Sequence, residues 1–101
     1  MKIQEIGRDS LEDMVLKSEK PVLLDFYAPS CSHCRTMEIV LGAVAEARPD
    51  ASVLKINVEG AADICEAYGV TRVPTLLVIK EGRVTDRHEG TASVASVLRM
   101  L

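Results

Sequence analysis

The sequence predicts a single α/β domain, built on a central mixed sheet of four or five strands flanked by about four helices. Three observations support this fold class. The chain has 101 residues, enough for one core. Apolar runs of strand length alternate with stretches of helical periodicity. Hydrophobic residues make up 48% and charged residues 27%, a globular balance. We therefore expect residues 1–101 to form one domain.

The first predicted elements are a short helix and a buried strand. Ser10–Asp13 has the spacing of a capping box and is followed by apolar residues at helical spacing, which predicts a helix over Ser10–Lys17. Pro21 then precedes the nearly continuous apolar run Val22–Tyr27. Such a run is typical of a central strand that is covered on both faces.

A longer helix, a second strand and a short helix should follow. The longer helix is indicated by apolar residues at helical spacing, namely Met37, Leu41, Val44 and Ala45. It should stop at Arg48-Pro49-Asp50 because proline cannot continue a helix. Val53–Val58 predicts a strand. The short helix should end at Gly69, and its apolar face consists of Ala61, Ile64, Cys65 and Tyr68.

The last third of the chain predicts a hairpin and a closing helix. Thr75–Ile79 has the composition of a buried strand, and Glu81-Gly82 forms a turn into the polar segment Arg83–Glu89. This polar character suits an exposed edge strand. Apolar residues at helical spacing then predict a terminal helix, with Val94, Val97, Leu98 and Leu101 on its inner face.

Two of the three cysteines, Cys31 and Cys34, flank Ser32-His33 where the central strand gives way to the long helix. Free N–H groups and the helix dipole stabilise a thiolate there, so Cys31 is the expected nucleophile. A donor at His33 would add to this effect and favour a more oxidising potential. The spacing alone leaves a structural disulfide or half of a zinc site as alternatives.

Asp25 is an anomaly, because a carboxylate in so apolar a run is expected only where it is paired or functional. By strand alternation it shares a face with Leu23 and Tyr27, and Lys55 is the only other charge in the two central strands. Burial would raise its pKa, and its functional interpretation is a proton acceptor for Cys34. The alternative is an edge or bulge position that faces water.

Two further residues have ordinary structural interpretations. Cys65 lies on an apolar helix face, where a small buried hydrophobic residue is expected. His88 lies in the polar hairpin strand and should be a solvated edge residue. A zinc-binding module would need one of them beside the cysteine pair, but they fall on separate predicted elements and a tetrahedral site needs four ligands. We therefore expect no metal.

Charge and hydropathy exclude several partners. The net charge is −3 and the basic residues are scattered, so no nucleic-acid partner is expected. The first ten residues lack the apolar core of a signal peptide, and no stretch approaches the ~20 apolar residues that span a bilayer. These features predict a cytoplasmic monomer without a membrane partner.

The segment Asp25–Cys34, followed by Tyr68–Thr75 and by Gly82 and Gly90, resembles thioredoxin, and the resemblance covers essentially the whole chain. It implies a thioredoxin fold and a thiol–disulfide oxidoreductase that exchanges reversibly with protein disulfides. The expected redox group is the Cys31–Cys34 disulfide itself, with no other cofactor. An upstream reductase such as thioredoxin reductase would supply electrons, which makes a general protein-disulfide reductase the leading hypothesis.

The resemblance also assigns roles to individual residues. Cys31 would attack the substrate disulfide, Cys34 would resolve the mixed disulfide, and Asp25 with Lys55 would handle the resolving proton. Val73-Pro74 would be a cis peptide that faces the dithiol, and the Val73 backbone would pair with the substrate chain. The same substrate groove would include Gly90, Ser32 and His33.

Several positions depart from the family pattern. Thioredoxins usually have tryptophan before the first cysteine and Gly-Pro between the two, whereas this chain has Ser30 and Ser32-His33 and contains no tryptophan. The histidine resembles that of disulfide oxidases and isomerases of the same fold, which is the alternative hypothesis. Ile39 replaces a proline within the following helix, so we expect a straighter helix. A redox-inert interaction domain is disfavoured because both cysteines and Asp25 are present.

Overall fold

The computed structural model describes residues 3–101, and these residues contain one mixed five-stranded sheet. The strands are Ile3–Ile6 (β1), Val22–Tyr27 (β2), Ser52–Asn57 (β3), Thr75–Lys80 (β4) and Arg83–Glu89 (β5). Their order across the sheet is β1-β3-β2-β4-β5. Both β1 and β2 run parallel to β3, whereas β4 runs antiparallel to β2 and β5.

Three α-helices and one N-terminal helical segment flank this sheet. The helices are Ser32–Ala47 (α1), Ala62–Ala67 (α2) and Val94–Met100 (α3). A 3₁₀ turn at Arg8–Ser10 and a π-helical turn at Glu12–Leu16 form the segment between β1 and β2. The prediction of an α/β fold with a mixed sheet and about four helical segments is therefore confirmed.

The side chains of the sheet contribute to two hydrophobic cores, one on each face. One core joins the sheet to α1 and α3 through Leu23, Met37, Leu41, Val44, Val53, Leu76, Val78 and Val97. The other joins it to α2 and the N-terminal segment through Val15, Leu24, Phe26, Ile56, Ile64, Leu77 and Ile79. Strand β2 lies at the centre and contributes alternate residues to both cores, as its continuous apolar sequence requires.

Two N-terminal features differ from the sequence predictions. The helix predicted over Ser10–Lys17 forms as short 3₁₀ and π turns without a capping side chain, because Ser10 lies inside the first turn. Its apolar face nevertheless packs on the core through Val15. Strand β1 has only four residues, too few for a periodic signal, and it forms through parallel pairing with β3.

The remaining elements lie within about two residues of their predicted bounds. Arg48 caps the end of α1 immediately before the proline, as expected. The β4–β5 turn places Glu81 at φ 52° and Gly82 at φ 78°, the left-handed pair that two-residue hairpin turns require. A Cβ at Gly82 would also lie 3.1 Å from the carbonyl oxygen of Leu16, so glycine fits this position on two grounds.

Candidate active site at the start of helix α1

The cysteine pair occupies the junction between the end of β2 and the start of α1. Cys31 is the N-cap residue of α1, with extended backbone angles, and its Sγ accepts a hydrogen bond from the backbone N–H of Cys34 at 3.1 Å. This sulfur therefore lies at the positive end of a 16-residue helix. The first cysteine thus lies where the sequence predicted it, at the start of a helix, a position that favours negative charge in general.

The two thiols differ in exposure. Cys31 is partly exposed, whereas Cys34 is buried with 4% of its surface accessible. The pKa of Cys34 is raised to about 12, chiefly by burial and to a smaller degree by its hydrogen bond to Cys31 and by the charge of Asp25. Cys34 consequently holds its proton at neutral pH, and a base is needed before it can attack a disulfide.

Asp25 lies in the middle of β2 with 1% of its surface exposed, and its Oδ1 has no hydrogen-bond partner among the described residues. Its pKa is raised from 3.8 to about 7, chiefly by burial and also by the Glu38 carboxylate, while Lys55 partly opposes both. The edge or bulge alternative is excluded, since Asp25 is paired on both sides of its strand. A carboxyl with this pKa can accept and release a proton near neutral pH.

Lys55 lies opposite Asp25 in the β2–β3 register, but its ammonium group binds elsewhere. Its Nζ forms an ion pair with Glu38 Oε1 at 3.1 Å and lies 5.0 Å from the centroid of the Tyr27 ring. The resemblance paired Lys55 with Asp25. In the structure Lys55 is close enough to affect the Asp25 carboxyl electrostatically, while its direct ion pair is with Glu38.

Sequence reasoning missed Glu38. It lies one helical turn after Cys34, beside the apolar face of α1 that packs on the sheet, and its side chain is 42% exposed. An acid four residues after the second cysteine at the border of an apolar helix face was the available signal. A cavity of about 110 Å³ runs beside this part of α1, lined by Tyr27, Ala28, Pro29, Cys34, Arg35 and Glu38.

The predicted substrate-binding residues occupy two loops and the first turn of α1. The Val73-Pro74 peptide is cis, as the resemblance implied, and the N–H of Gly90 donates to the Pro74 carbonyl at 2.8 Å. Val73 is half-buried and lies in a loop. Its backbone N–H and carbonyl form no backbone hydrogen bond with any residue in the range 3–101. Ser32 and His33 are exposed at the start of α1.

The third cysteine and the second histidine lie apart from the pair. Cys65 is half-buried on α2 and packs against the second core, which fits its interpretation as a small hydrophobic residue. His88 lies on β5, where its Nε2 is 2.9 Å from the Thr91 carbonyl oxygen. Within residues 3–101, no three His, Cys, Asp or Glu side chains form a cluster suited to a metal ion.

Helix α1 is unbroken at the position where the family has a proline. Helix α1 is continuous from Ser32 to Ala47, and Ile39, which replaces the family's proline, is exposed on its outer side.

None of the helices formed by the described residues has the length and apolar character needed to cross a membrane.

The fold is a mixed sheet flanked by helices, and its site combines an accessible thiol at a helix N-terminus, a buried second thiol and a buried carboxyl. This combination is typical of proteins that exchange dithiols and disulfides. The thioredoxin family model matches residues 2–101. The chain is 36% identical over 97 residues to a thioredoxin from Streptomyces clavuligerus, covering 96% of this chain and 91% of that protein. It therefore belongs to the thioredoxin family.

Other relatives carry the same family name. Thioredoxin Y1, a chloroplastic protein of Arabidopsis thaliana, is 35% identical over 94 residues, which cover 92% of this chain and 55% of that protein. The chain thus spans about half the length of this relative. A thioredoxin of Chlamydia trachomatis is 27% identical over 99 residues, 98% of this chain and 95% of that protein.

Proposed function

We propose that this protein is a thiol–disulfide oxidoreductase that reduces protein disulfides through Cys31 and Cys34. The observation that carries the proposal is the 3.1 Å hydrogen bond from the Cys34 N–H to Cys31 Sγ at the N-terminus of α1. A difference in exposure between the two thiols also supports the proposal, since Cys31 is accessible and Cys34 is buried. An accessible nucleophile and a protected resolving thiol are what sequential exchange requires.

In the proposed reaction, the Cys31 thiolate attacks one sulfur of a substrate disulfide and releases the other as a thiolate. The product is a mixed disulfide between Cys31 and the substrate. Cys34 then attacks Cys31 Sγ, which breaks the mixed disulfide, forms the Cys31–Cys34 disulfide and releases the reduced substrate. Asp25 accepts the proton of Cys34 in this second step, and Lys55 adjusts the basicity of Asp25.

The substrate chain would bind beside Val73, Pro74 and Gly90. The Val73 backbone has no hydrogen-bond partner within the described part of the chain, so it is available for strand-like hydrogen bonds with an extended peptide. Ser32 and His33 are exposed next to Cys31 and would contact the residues that flank the substrate cysteine. The proposed partners are protein disulfides and an upstream disulfide reductase, such as a thioredoxin reductase, and the proposed location is the cytoplasm.

One observation favours a second candidate. His33 is exposed in the first turn of α1, where a protonated or hydrogen-bonding imidazole would stabilise the Cys31 thiolate. A more stable thiolate makes the dithiol form more favourable and the disulfide a stronger oxidant. The alternative function is therefore a disulfide oxidase or isomerase that uses the same two cysteines.

Trapping of mixed disulfides tests the proposed roles of the cysteines. A Cys34→Ser variant should accumulate a stable mixed disulfide with a disulfide-containing protein such as insulin, because the resolving thiol is missing. Cys31→Ser should form none and should lose reductase activity, while Cys65→Ser should behave as the unmodified chain. The proposal fails if Cys34→Ser traps nothing and Cys31→Ser remains active.

A further inference from the structure

Glu38 is placed to influence the buried carboxyl of Asp25 although the two do not form a hydrogen bond. Its carboxylate binds the Lys55 ammonium at 3.1 Å, and Lys55 is 19% exposed beneath it. The β2–β3 register places Lys55 directly opposite Asp25. The ion pair with Glu38 therefore engages the cation that would otherwise be available to Asp25.

The other charged groups around this site leave the arrangement intact. Arg35 directs its guanidinium to the Pro29 carbonyl, and the Tyr27 hydroxyl donates to Glu5 on β1. Among residues 3–101, Lys55 is the cation that forms an ion pair with Glu38. Among the described residues, the ionisable groups around the site are Cys31 at the N-cap of α1, Cys34, Arg35 and Glu38 on α1, Asp25 and Tyr27 on β2, Lys55 on β3 and Glu5 on β1.

We propose that Glu38 is a positioning residue of the resolving step: it holds the Lys55 ammonium away from Asp25 and so keeps Asp25 a strong base toward Cys34. This inference rests on the exchange function proposed above. The cavity that Glu38 lines together with Cys34 extends the same site along α1. Glu38 acts through Lys55 and Asp25 and does not touch the reacting sulfurs.

In the step that Glu38 assists, the Asp25 carboxylate takes the proton of the Cys34 thiol, and the resulting thiolate forms the Cys34–Cys31 bond. The bond between Cys31 and the substrate sulfur breaks, and the electron pair leaves with the substrate thiolate, which then takes a proton from water. The cysteine pair is oxidised and the substrate is reduced.

The order of electrostatic effects on Asp25 agrees with this role. Burial is the largest cause of the raised Asp25 pKa, and the negative charge of Glu38 is the second. Lys55 lowers this pKa, but its effect is smaller than that of Glu38. Removing the charge of Glu38 eliminates the first effect and frees Lys55 to move toward Asp25. Both consequences lower the pKa of Asp25, because a nearby cation favours the carboxylate.

The experiment compares Glu38→Gln with Glu46→Gln, which removes an exposed acid from the same helix. All variants carry Cys65→Ser. The Asp25 carboxyl carbon is titrated by NMR in the reduced protein, and its inflection should fall by about one pH unit in Glu38→Gln. It should stay unchanged in Glu46→Gln. Lys55→Met should raise the inflection more in the Glu38→Gln background than in the chain that retains Glu38, because Lys55 is free to approach Asp25 only when Glu38 has lost its charge. A merely structural role of Glu38 predicts the same rise in both backgrounds.

A kinetic readout accompanies the titration. Reaction with 5,5′-dithiobis(2-nitrobenzoate) releases one thionitrobenzoate when Cys31 attacks and a second when Cys34 resolves. Above pH 8 the second phase should be about threefold slower in Glu38→Gln, because a weaker base accepts the proton less readily. The first phase should be unaffected.

An unmoved Asp25 inflection in Glu38→Gln, an equal shift in Glu46→Gln, or the same effect of Lys55→Met with and without Glu38 would overturn the role of Glu38. Failure of the exchange function itself has a different signature. In that case the unmodified cysteine pair would release no second thionitrobenzoate, whatever the Asp25 titration showed.

Discussion

The backbone N–H of Cys34 donates a hydrogen bond to Cys31 Sγ at 3.1 Å, which makes the first cysteine both the cap of helix α1 and the accessible thiol. The same helical turn buries the side chain of Cys34. Four residues of sequence thus create two thiols with different surroundings, one accessible at the helix N-terminus and one buried as a protonated thiol.

This difference predicts the order of alkylation. Iodoacetamide at pH 7.5 should modify Cys31 first, because the thiol of Cys34 is buried and its pKa is raised to about 12. Mass spectrometry of peptides after short exposure measures the site of modification. In denaturant the two cysteines should react at similar rates, which provides the control, and faster labelling of Cys34 in the folded protein would contradict the assignment.

The buried carboxyl predicts a pH-dependent cost to stability. Asp25 has a pKa of about 7 when folded and an ordinary value of 3.8 when unfolded, so the folded state binds more protons between these pH values. Stability therefore falls as pH rises from about 4 to about 7 and changes little above that range from this group. Replacing Asp25 with an uncharged residue should remove this dependence.

Urea denaturation of reduced protein at pH 4 and pH 8 measures the effect. We compare the free energy of unfolding of Asp25→Asn with that of the unmodified chain. The variant should gain on the order of 2–4 kcal/mol of relative stability as the pH is raised from 4 to 8. Asp86→Asn, at an exposed position of β5, provides a matched control. A difference that stays constant with pH would mean that Asp25 is not buried as a neutral carboxyl.

The exposed His33 predicts the direction of a redox effect. Replacing His33 with alanine should lower the reduction potential of the cysteine pair by roughly 30 mV, equivalent to about 1.4 kcal/mol, because the thiolate loses a stabilising donor. Ser32→Ala changes the neighbouring residue between the same cysteines and should have a smaller effect. Equal potentials for His33→Ala and the unmodified chain would remove the argument for an oxidase or isomerase.

Much of the fold follows from short-range patterns in the sequence. The continuous apolar run of β2, the proline that ends α1 and the Glu81-Gly82 turn each determine local structure through a strong physical preference. Strand β1 could not be predicted in this way, because its four residues are specified by pairing with β3. The α-helix predicted from the capping-box spacing at Ser10 is wrong, because a 3₁₀ turn already includes Ser10 and a π-helical turn follows it.

The candidate site was predictable where a residue conflicts with its surroundings. A carboxylate within an apolar strand and two cysteines at a helix start are visible in the sequence, and Asp25 is buried as expected. The cis Val73-Pro74 peptide followed from family resemblance, since an X-Pro bond alone favours trans. The Glu38–Lys55 ion pair depends on how α1 packs across β3, a long-range relationship that spacing does not encode.

The measurement that tests the central claim most directly is a redox titration of the Cys31–Cys34 pair. The protein is equilibrated in defined glutathione or dithiothreitol buffers, and the remaining free thiols are counted and located. We predict that two of the three thiols are lost together in one two-electron transition, while Cys65 stays free. For a reductase, the midpoint potential of this transition should be roughly −270 mV. Persistence of both Cys31 and Cys34 as free thiols across the full range, or pairing of either with Cys65, would contradict the account.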